Sequence, residues 1–459
     1  MPHPQHHLRR ELTLANGTAI VVANMIGAGI FGITGFLAGD LGKPYLVLGI
    51  WLAGAVVAVA GCLCYAELAV NLPRSGGEYI YVREAWGPAW GFLSGWISFF
   101  AGFAAPIAAA ALLFSEYLAH FYPRLSPRLA TGLLATSLRW VHTGNGHLLA
   151  VGVVTLFAVV NILGVRFAGK IQNVLTGLKV GILGAFVALA FLVGKGSVSH
   201  FSAEAVRTSH HSLAAQSAVS LIFVMFAYSG WNAATYVAEE MKSPERTLPA
   251  SLVAGTLIVA ALYLALNTAF IYAMPLEAMK GIERIGGAAA GALFGGKGGD
   301  FFSAVMSVGL LSTVSAMVIV GPRVYYAMAQ DGCFFQGAAH VNPRWGTPVQ
   351  AILWQAVATA LMILTGTFES LLYYIGFALI LFAALAVAGM VRLRKRPGWK
   401  RLAAVSWGYP LAPAVFVGAS VWMLCYTMAL RPKESSLGLL TMAAGMLTYR
   451  WLFRRRAKP

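Results

Sequence analysis

Apolar segments long enough to cross a lipid bilayer follow one another along almost the whole chain, and they constrain its fold more than any other feature. The segments run for about 16 to 32 residues. A helix needs about 20 apolar residues to span the hydrocarbon layer, where irregular backbone would lack hydrogen-bond partners. About twelve candidate spans lie at 12–39, 44–71, 88–119, 147–165, 168–194, 212–240, 247–274, 300–330, 348–364, 368–391, 404–428 and 436–451. The sequence therefore predicts an all-α polytopic membrane protein.

The composition agrees with a chain surrounded mostly by lipid. Hydrophobic residues occupy 59% of the 459 positions and charged residues only 11%, whereas an ordinary soluble domain carries about 25% charged residues. The linkers between the spans are neither long enough nor polar enough to form a soluble domain. We expect one transmembrane domain over 1–459, with a cytoplasmic tail at 1–11 and a basic cytoplasmic tail at 452–459.

The formal net charge of +17 indicates membrane topology rather than binding to nucleic acid. If the N-terminus lies inside, the inside loops hold about twice as many Lys and Arg residues as the outside loops, in agreement with the positive-inside rule. Such basic loops are also attracted to anionic lipid. We expect a multi-pass protein of the cell membrane with both termini in the cytoplasm and no nucleic-acid partner. The first eleven residues do not resemble a cleaved secretory signal.

The cysteines predict neither a disulfide nor a metal site. Cys62 and Cys64 lie in the second span, Cys333 in a predicted cytoplasmic loop and Cys425 in the eleventh span. There is no CxxC pair of the kind that binds zinc, and buried free thiols behave as small hydrophobic groups. We expect no metal and no cofactor.

Two spans carry glycines and polar residues near their middle, at corresponding places in the chain. Residues 24–32 of the first span read NMIGAGIFG, and residues 226–232 of the sixth read FAYSGWN. A repeat of five helices would superpose these two spans, and an odd repeat makes the second copy cross the membrane in the opposite sense. We therefore expect inverted five-helix repeats at 12–194 and 212–391, with helices 1 and 6 broken, and two additional helices at 404–451.

A break in a membrane helix can create a site for a zwitterion. Glycine lets the helix unwind, which exposes N–H donors at the start of one half-helix and C=O acceptors at the end of the other. The first attract a carboxylate and the second attract an ammonium group. Two facing breaks at 27–29 and 228–230 could hold an α-amino acid without a charged side chain. Glycines also allow close packing of membrane helices, and that interpretation of Gly27 and Gly29 stays open.

Three stretches resemble the amino acid–polyamine–organocation superfamily. Residues 27–31 (GAGIF) resemble the GxGIF signature of its first helix, and 65–68 (YAEL) with 73–79 (PRSGGEY) are similar to its first cytoplasmic loop. Residues 226–232, followed by 239–244 (EEMKSP), are closest to its L-type amino acid transporter branch. The resemblance implies a fold of five plus five inverted helices with two helices added at the C-terminus.

The same resemblance implies a substrate site at both breaks. The backbone around Ile26 to Ile30 would receive the carboxylate, and the carbonyls around Phe226 to Ser229 would receive the amino group. Phe226 would act as an aromatic gate, and Asn232 would make a polar contact near the substrate. The predicted substrate-binding set is Ile26, Gly27, Ala28, Gly29, Ile30, Phe226, Ala227, Tyr228, Ser229, Gly230 and Asn232.

Two further expectations concern aromatic residues and a partner subunit. Tyr228 and Trp231 are expected to be structural, because aromatic residues near a helix break more often pack than bind. Heteromeric L-type transporters carry an external cysteine after the third helix, whereas residues 121–146 contain none. We expect no disulfide-linked heavy subunit.

Lys179 is the basic residue that lies deepest inside a predicted span. It lies about eight residues from the cytoplasmic boundary, or roughly 12 Å deep, where a lysine costs about 3 kcal/mol on insertion scales. In proton-coupled and sodium-independent members of the superfamily that the chain resembles, a fifth-helix lysine replaces the sodium ion. We predict this coupling role for Lys179. A snorkelling or structural lysine stays an alternative, and the hydroxyls of Ser312, Thr313 and Ser315 leave a sodium site open.

These observations predict sodium-independent secondary transport of L-amino acids, by proton symport or by exchange. Neutral substrates are expected because the sequence places no carboxylate at the breaks to bind a cationic side chain. A carrier of polyamines or organic amines is the main alternative. A membrane enzyme that uses the external-loop residues His200, His210, His211 and Glu204 is weaker, and so is a channel.

Acidic residues near the predicted cytoplasmic ends of the spans suggest a less specific role. Glu67, Glu239 and Glu240 lie close in sequence to Arg74, Lys242 and Arg246. We expect solvated ion pairs at the edges of loops, while a network that closes an inner gate stays open.

Overall fold

The computed structural model describes residues 12–73, 76–127, 142–163, 165–342, 344–403, 405 and 408–453. The side chains at 165–176, 239–240, 323 and 327 are outside this description. The predicted tail at 1–11 and most of the predicted tail at 452–459 also lie outside it.

The described chain is helical, as the sequence predicts. The α-helices are α1 Leu14–Met25, α2 Ala28–Gly32, α3 Thr34–Leu41, α4 Pro44–Asn71, α5 Glu78–Trp86, α6 Pro88–Ile97, α7 Ala105–Leu118, α8 Asn145–Leu163, α9 Val165–Leu192, α10 Leu213–Ala227, α11 Pro244–Ala273, α12 Leu276–Met279, α13 Ile285–Phe294, α14 Gly296–Gln330, α15 Val349–Thr365, α16 Phe368–Leu393, α17 Leu411–Leu430 and α18 Pro432–Thr448. Short 3-10 helices lie at Pro123–Leu125, Val198–Phe201, Ala233–Glu240 and Gln336–Ala339, and π-helical turns at Ser98–Ala104 and Tyr449–Phe453.

Among the described residues, eight helices are long and apolar enough to cross a membrane. They correspond to the predicted spans one to four, seven, eight, ten and eleven, although the eleventh helix begins at Leu411 rather than at 404. Spans five, six and nine contain the shorter apolar helical segments Gly177–Leu192, Leu213–Ala227 and Val349–Thr365. Span twelve corresponds to α18 and the π-helical turn that follows it. The short helices α5, α12 and α13 lie in segments that the sequence analysis treated as loops.

The first span is broken, and its two glycines have different roles. Ile26 (φ −74°, ψ 97°) and Gly27 (φ −142°, ψ −156°) are extended, and the helix resumes at Ala28. The break therefore lies at 26–27, and Gly29 lies inside α2 rather than in the break. A Cβ atom on Gly29 would lie 2.5 Å from the Cα of Ala227. Gly27 thus interrupts the helix, and Gly29 permits close packing of α2 against the end of α10.

The sixth span is also broken, as predicted. Helix α10 ends at Ala227, Gly230 has a φ of +97° that favours glycine, and a 3-10 helix begins at Ala233. A Cβ atom on Gly230 would lie 2.8 Å from the backbone carbonyl carbon of Asn24. Both broken spans therefore approach each other closely near their breaks. The all-α polytopic fold with discontinuous first and sixth helices is confirmed, whereas the domain boundaries at 12–194, 212–391 and 404–451 stay a prediction.

The third predicted span is not a regular α-helix along its whole length. The π-helical stretch Ser98–Ala104 separates α6 from α7. Pro106 is the second residue of α7, and it has no N–H with which to donate a helical hydrogen bond. Such π-helical stretches often occur at functional sites.

Glu67 lies in a buried ion pair, and our expectation that it would be solvated at a loop edge is wrong. Its side chain is 0% exposed. Arg394 binds its two oxygens from Nε and Nη2, at 2.5 and 3.0 Å, and the indole of Trp399 donates to it at 2.9 Å. This pair joins the end of α4 to the segment that begins after α16. The corresponding expectations for Glu239 and Glu240 involve side chains outside the described residues.

Replacing Glu67 with Gln should destabilise the protein, because it leaves the Arg394 guanidinium buried without a counter-charge. We expect a loss of about 3 kcal/mol in the free energy of unfolding. The matched control is Glu84→Gln, which removes the more exposed pair with Arg396 at 3.1 Å and should cost less than about 1 kcal/mol. Thermal and denaturant unfolding of the purified variants in detergent measures both values. Equal losses in the two variants would contradict this role for Glu67.

Candidate functional site

A cavity of about 490 Å³ lies beside the two helix breaks. Its walls come from α1, from α10 and the segment after it, from the π-helical stretch before α7, and from α14 and α16. Most of the lining is apolar, with Phe103, Phe226, Met317, Ile375 and Leu379 among the side chains. Such a surface suits an organic ligand whose body is apolar and whose polar groups bind at a few defined places.

One end of the cavity reaches loop residues, and the other end is closed by aromatic rings. Gly76 and Asp331 line the first end, which is the side predicted to be cytoplasmic. Towards the opposite side, the ring of Phe223 lies 5.7 Å from that of Phe36 and 4.4 Å from that of Tyr373, measured between centroids. The cavity therefore reaches the side predicted to be cytoplasmic, called the inner side here, while packed rings separate it from the opposite, outer side.

An ion pair strengthens the closure on the outer side. Arg431, at the junction of α17 and α18, lies 3.3 Å from the carboxylate of Glu369. Its guanidinium also lies over the ring of Tyr373, at 4.4 Å from the centroid. The two additional C-terminal helices thus contact the residues that block the outer end of the pathway.

The predicted site residues divide into two groups in the structure. Phe226, Ser229, Gly230 and Asn232 line the cavity. The other residues of the predicted set do not line the cavity as described; they are Ile26, Gly27, Ala28, Gly29, Ile30, Ala227 and Tyr228. The first break therefore lies behind the cavity wall, with Gly27 partly exposed and its neighbours in the set buried.

Carbonyl groups at both breaks accept hydrogen bonds from protein side chains. The hydroxyl of Tyr263, on α11, donates to the carbonyl of Met25 at 2.7 Å and lies 3.2 Å from the carbonyl of Ala227. The ammonium group of Lys179 donates to the carbonyl of Ile26. These donors neutralise the acceptor end of the first break. The N–H groups of the first turn of α2 have no carbonyl partner within their own helix, so this break favours an anionic ligand group.

Lys179 lies where a cation would connect the first span to the eighth. Its side chain is 3% exposed. Besides its bond to Ile26, its Cδ lies 3.7 Å from the position of a Cβ atom on Gly309 in α14. Thr313, one turn further along α14, is the closest side chain to Gly27 in the first break. Lys179 thus lies between the first break and α14, and its coupling role stays a prediction.

We expected Tyr228 and Trp231 to be structural, and of these two only Tyr228 lies away from the cavity. Tyr228 is fully buried, and its hydroxyl donates to the carbonyl of Trp51 at 3.2 Å. Trp231 lines the cavity and packs edge-on against the ring of Tyr65, with 4.7 Å between centroids.

Glu78 brings a carboxylate to the cavity, although the sequence analysis placed none near the substrate. It begins α5 and accepts a hydrogen bond from the hydroxyl of Tyr65 at 2.5 Å. Burial raises the pKa of Glu78 to about 7. Asp331 also lines the cavity, at its inner end, and lies 4.0 Å from Arg83.

Sequence reasoning missed both Tyr263 and Glu78 as candidate site residues. Tyr263 lies in the middle of an apolar span, where its hydroxyl was the only available signal. Glu78 was noted as part of the PRSGGEY motif, but this segment was interpreted as a loop. The helical turn at 78–86 that directs Glu78 to the cavity was not predicted.

The chain is similar to known proteins along almost its whole length. The profile of the family described as "Amino acid permease" matches residues 12–449. The "Large neutral amino acids transporter small subunit 2" of Mus musculus is 29% identical over 96% of this chain and 81% of its own length. The "Serine/threonine exchanger SteT" of Bacillus subtilis is 28% identical over 98% of both chains. The "Asc-type amino acid transporter 1" of Homo sapiens is 29% identical over 98% of this chain and 84% of its own.

Replacing Tyr263 with Phe should weaken the connection between the two breaks. The ring is kept, but the buried carbonyls of Met25 and Ala227 lose their donor, which should lower the free energy of unfolding by about 1–3 kcal/mol. Tyr272→Phe is the matched control, because it lies on the same helix and packs on Phe191 away from the breaks. Thermal unfolding in detergent tests this, and a Tyr263 variant as stable as the control would refute it.

Proposed function

The chain belongs to the amino acid permease family, and we propose that it is a sodium-independent secondary transporter of neutral L-amino acids. It is a multi-pass membrane protein that works by alternating access. The observation that supports this proposal most directly is the pair of facing helix breaks beside a cavity. The first break presents N–H groups of α2, and its carbonyls are occupied by Tyr263 and Lys179. The second break contributes Ser229 and Asn232 to the cavity lining.

The zwitterionic part of the substrate binds at the breaks. Its carboxylate accepts hydrogen bonds from the backbone between Ile26 and Ile30, which contains the positive N-terminal end of α2. This backbone lies behind the cavity wall in the present structure, so binding requires that the first break be uncovered. Its amino group binds carbonyls of the second break between Phe226 and Ser229. The side chain of the substrate occupies the apolar part of the cavity, beside Phe226 and Ile375. The lack of a carboxylate at the breaks themselves supports neutral substrates.

Lys179 takes the place of a coupling sodium ion. Its ammonium group joins the carbonyl of Ile26 to the region of Gly309 in α14, and a cation there stabilises the unwound backbone. The names of the relatives, which include an exchanger, support exchange as one mode of transport, and proton symport is the other. Ser312, Thr313 and Ser315 are buried on α14, and their hydroxyl groups could bind a sodium ion. The uptake experiment below therefore compares transport with and without sodium.

The remaining features concern orientation and partners. The excess of basic residues on one side supports cytoplasmic termini, and the cavity then faces the cytoplasm in this structure. We also propose that the chain works without a disulfide-linked heavy subunit. A carrier of polyamines remains the alternative, supported by Glu78 in the cavity lining.

Uptake into proteoliposomes tests the transported substrate. The panel contains radiolabelled serine, alanine and leucine, with arginine and putrescine as the cationic comparison. We expect saturable uptake of the neutral amino acids, unchanged when sodium is replaced by choline. Faster uptake after preloading with unlabelled substrate indicates exchange, and acceleration by an inward proton gradient indicates symport. If arginine or putrescine outcompetes all three neutral amino acids, the neutral assignment is wrong.

Replacing Lys179 with Ala should abolish uptake driven by a proton gradient, because the first break loses the cation bound to Ile26. The expected reduction in the initial rate is at least about tenfold, since one buried charge–carbonyl hydrogen bond contributes about 1.5–3 kcal/mol. Lys195→Ala, in the loop after the same helix, is the matched control and should transport normally. Unchanged uptake by the Lys179 variant, with its pH dependence intact, would remove this lysine from the mechanism.

A further inference from the structure

The charge of the cavity lining is asymmetric. Glu78 and Asp331 line the cavity, and the described lining residues include no Lys, Arg or His. Asp331 lies near the guanidinium of Arg83, which offsets its charge. Within the described part of the chain, Glu78 has no comparable ion pair. Its carboxylate therefore dominates the electrostatic field along the inner half of the pathway.

The surroundings of Glu78 hold its carboxylate in position without neutralising it. Tyr65 on α4 donates to it at 2.5 Å. The ring of Tyr236, in the 3-10 helix after the second break, lies 2.6 Å from the position of a Cβ atom on the preceding residue, Gly77. The ring of Tyr81 packs edge-on against that of Tyr65, with 5.5 Å between centroids. Phenols are neutral near pH 7, so these contacts orient the carboxylate and leave its negative charge exposed to the cavity.

The position of Glu78 brings its charge into the route of the substrate. Tyr236 and Asn232 line the same cavity as Glu78, and Asn232 belongs to the second break. A ligand that moves between this break and the inner end, marked by Gly76, passes the carboxylate. A low-dielectric wall makes such a charge effective over several ångströms.

We propose that Glu78 is a specificity-determining residue, whose carboxylate excludes amino acids with anionic side chains from the cavity. This inference rests on the proposed transport of amino acids and states which side chains the site accepts. Uncharged side chains pass without an electrostatic penalty. Cationic side chains meet an attractive field at the inner end, although the apolar lining at the breaks still favours neutral ones. Since the carboxylate is the source of the selectivity, the effect requires Glu78 to be ionised.

Competition binding with matched ligands tests the proposal. Radiolabelled serine is displaced from the purified full-length protein by glutamine or glutamate, and by citrulline or arginine; each pair differs mainly in charge. In the wild type, glutamate should bind at least about tenfold more weakly than glutamine. In Glu78→Gln, the ratio of the glutamate and glutamine dissociation constants should approach one. Arginine should bind more weakly relative to citrulline than it does in the wild type. Opposite shifts for the two pairs indicate a charge effect, since a general structural defect would weaken all four ligands together.

Two control variants separate the charge from its surroundings. Glu84→Gln removes a carboxylate from the same helix, but its partner is Arg396, so both ratios should stay at the wild-type values. Tyr65→Phe removes a hydrogen bond that lowers the pKa of Glu78, so it is assayed at about pH 9, well above the usual pKa range of a carboxyl group. With Glu78 ionised, this variant should retain discrimination against glutamate. If Tyr65→Phe loses the discrimination as fully as Glu78→Gln, the carboxylate acts by holding α5 in place and the proposal is wrong.

The wild type provides a test that does not depend on a folded variant. Because burial raises the pKa of Glu78 to about 7, the carboxyl group is mainly neutral at pH 6 and mainly ionised at pH 8. The glutamate side chain stays ionised throughout this range. The ratio of the glutamate and glutamine dissociation constants should therefore rise severalfold from pH 6 to pH 8.

The outcomes distinguish this inference from the proposed function. If serine and the other neutral amino acids do not bind the wild type, amino acid transport itself is refuted. If they bind, but the glutamate to glutamine ratio is the same at pH 6 and pH 8 and the same in Glu78→Gln, transport stands and the role of Glu78 is overturned. If Glu78→Gln fails to fold, the pH series on the wild type decides.

Discussion

Peptide groups released from a helix inside a membrane must find new partners, and this requirement organises the structure around the first break. Between α1 and α2 the carbonyls of Met25 and Ile26 accept hydrogen bonds from Tyr263 and Lys179. Both donors come from distant parts of the chain, on α11 and α9. Since the protein supplies the donors, the unmatched groups at this break are N–H groups, which favour an anionic ligand group. A break that would otherwise be costly in hydrocarbon thus keeps N–H donors for the carboxylate of the proposed substrate.

The two ends of the pathway differ: packed rings close one end, and the cavity reaches loop residues at the other. On the outer side, rings of Phe223 and Tyr373 pack together, and Arg431 binds over Tyr373. On the inner side, the start of the first span pairs with the segment after the second break, where the N–H of Lys242 donates to the carbonyl of Leu12 at 2.9 Å. In the proposed alternating access, these outer contacts separate. The inner contact joins the two broken spans by a backbone hydrogen bond.

Charge has separate roles at the surface and in the interior. The basic excess on one side sets the predicted topology, but Arg394 of that group is bound to buried Glu67 and holds two helical segments together. Inside the cavity Glu78 is held by neutral phenols instead of a guanidinium. An acidic residue near a span end can therefore be structural or face the ligand, depending on whether a cation reaches it.

The sequence by itself determined the helical class, most of the spans and both broken helices, because apolar length and glycine conformational freedom are local properties. It also located Lys179, since a charge deep in an apolar segment is visible without a structure. Only the tertiary structure decided that Gly29 serves packing whereas Gly27 forms the break, and that the first break lies behind the cavity wall. It alone placed Tyr263 between Met25 and Ala227, Arg394 on Glu67, and Glu78 in the cavity. These contacts join residues far apart in the chain, so they depend on how the helices pack and not on any local pattern.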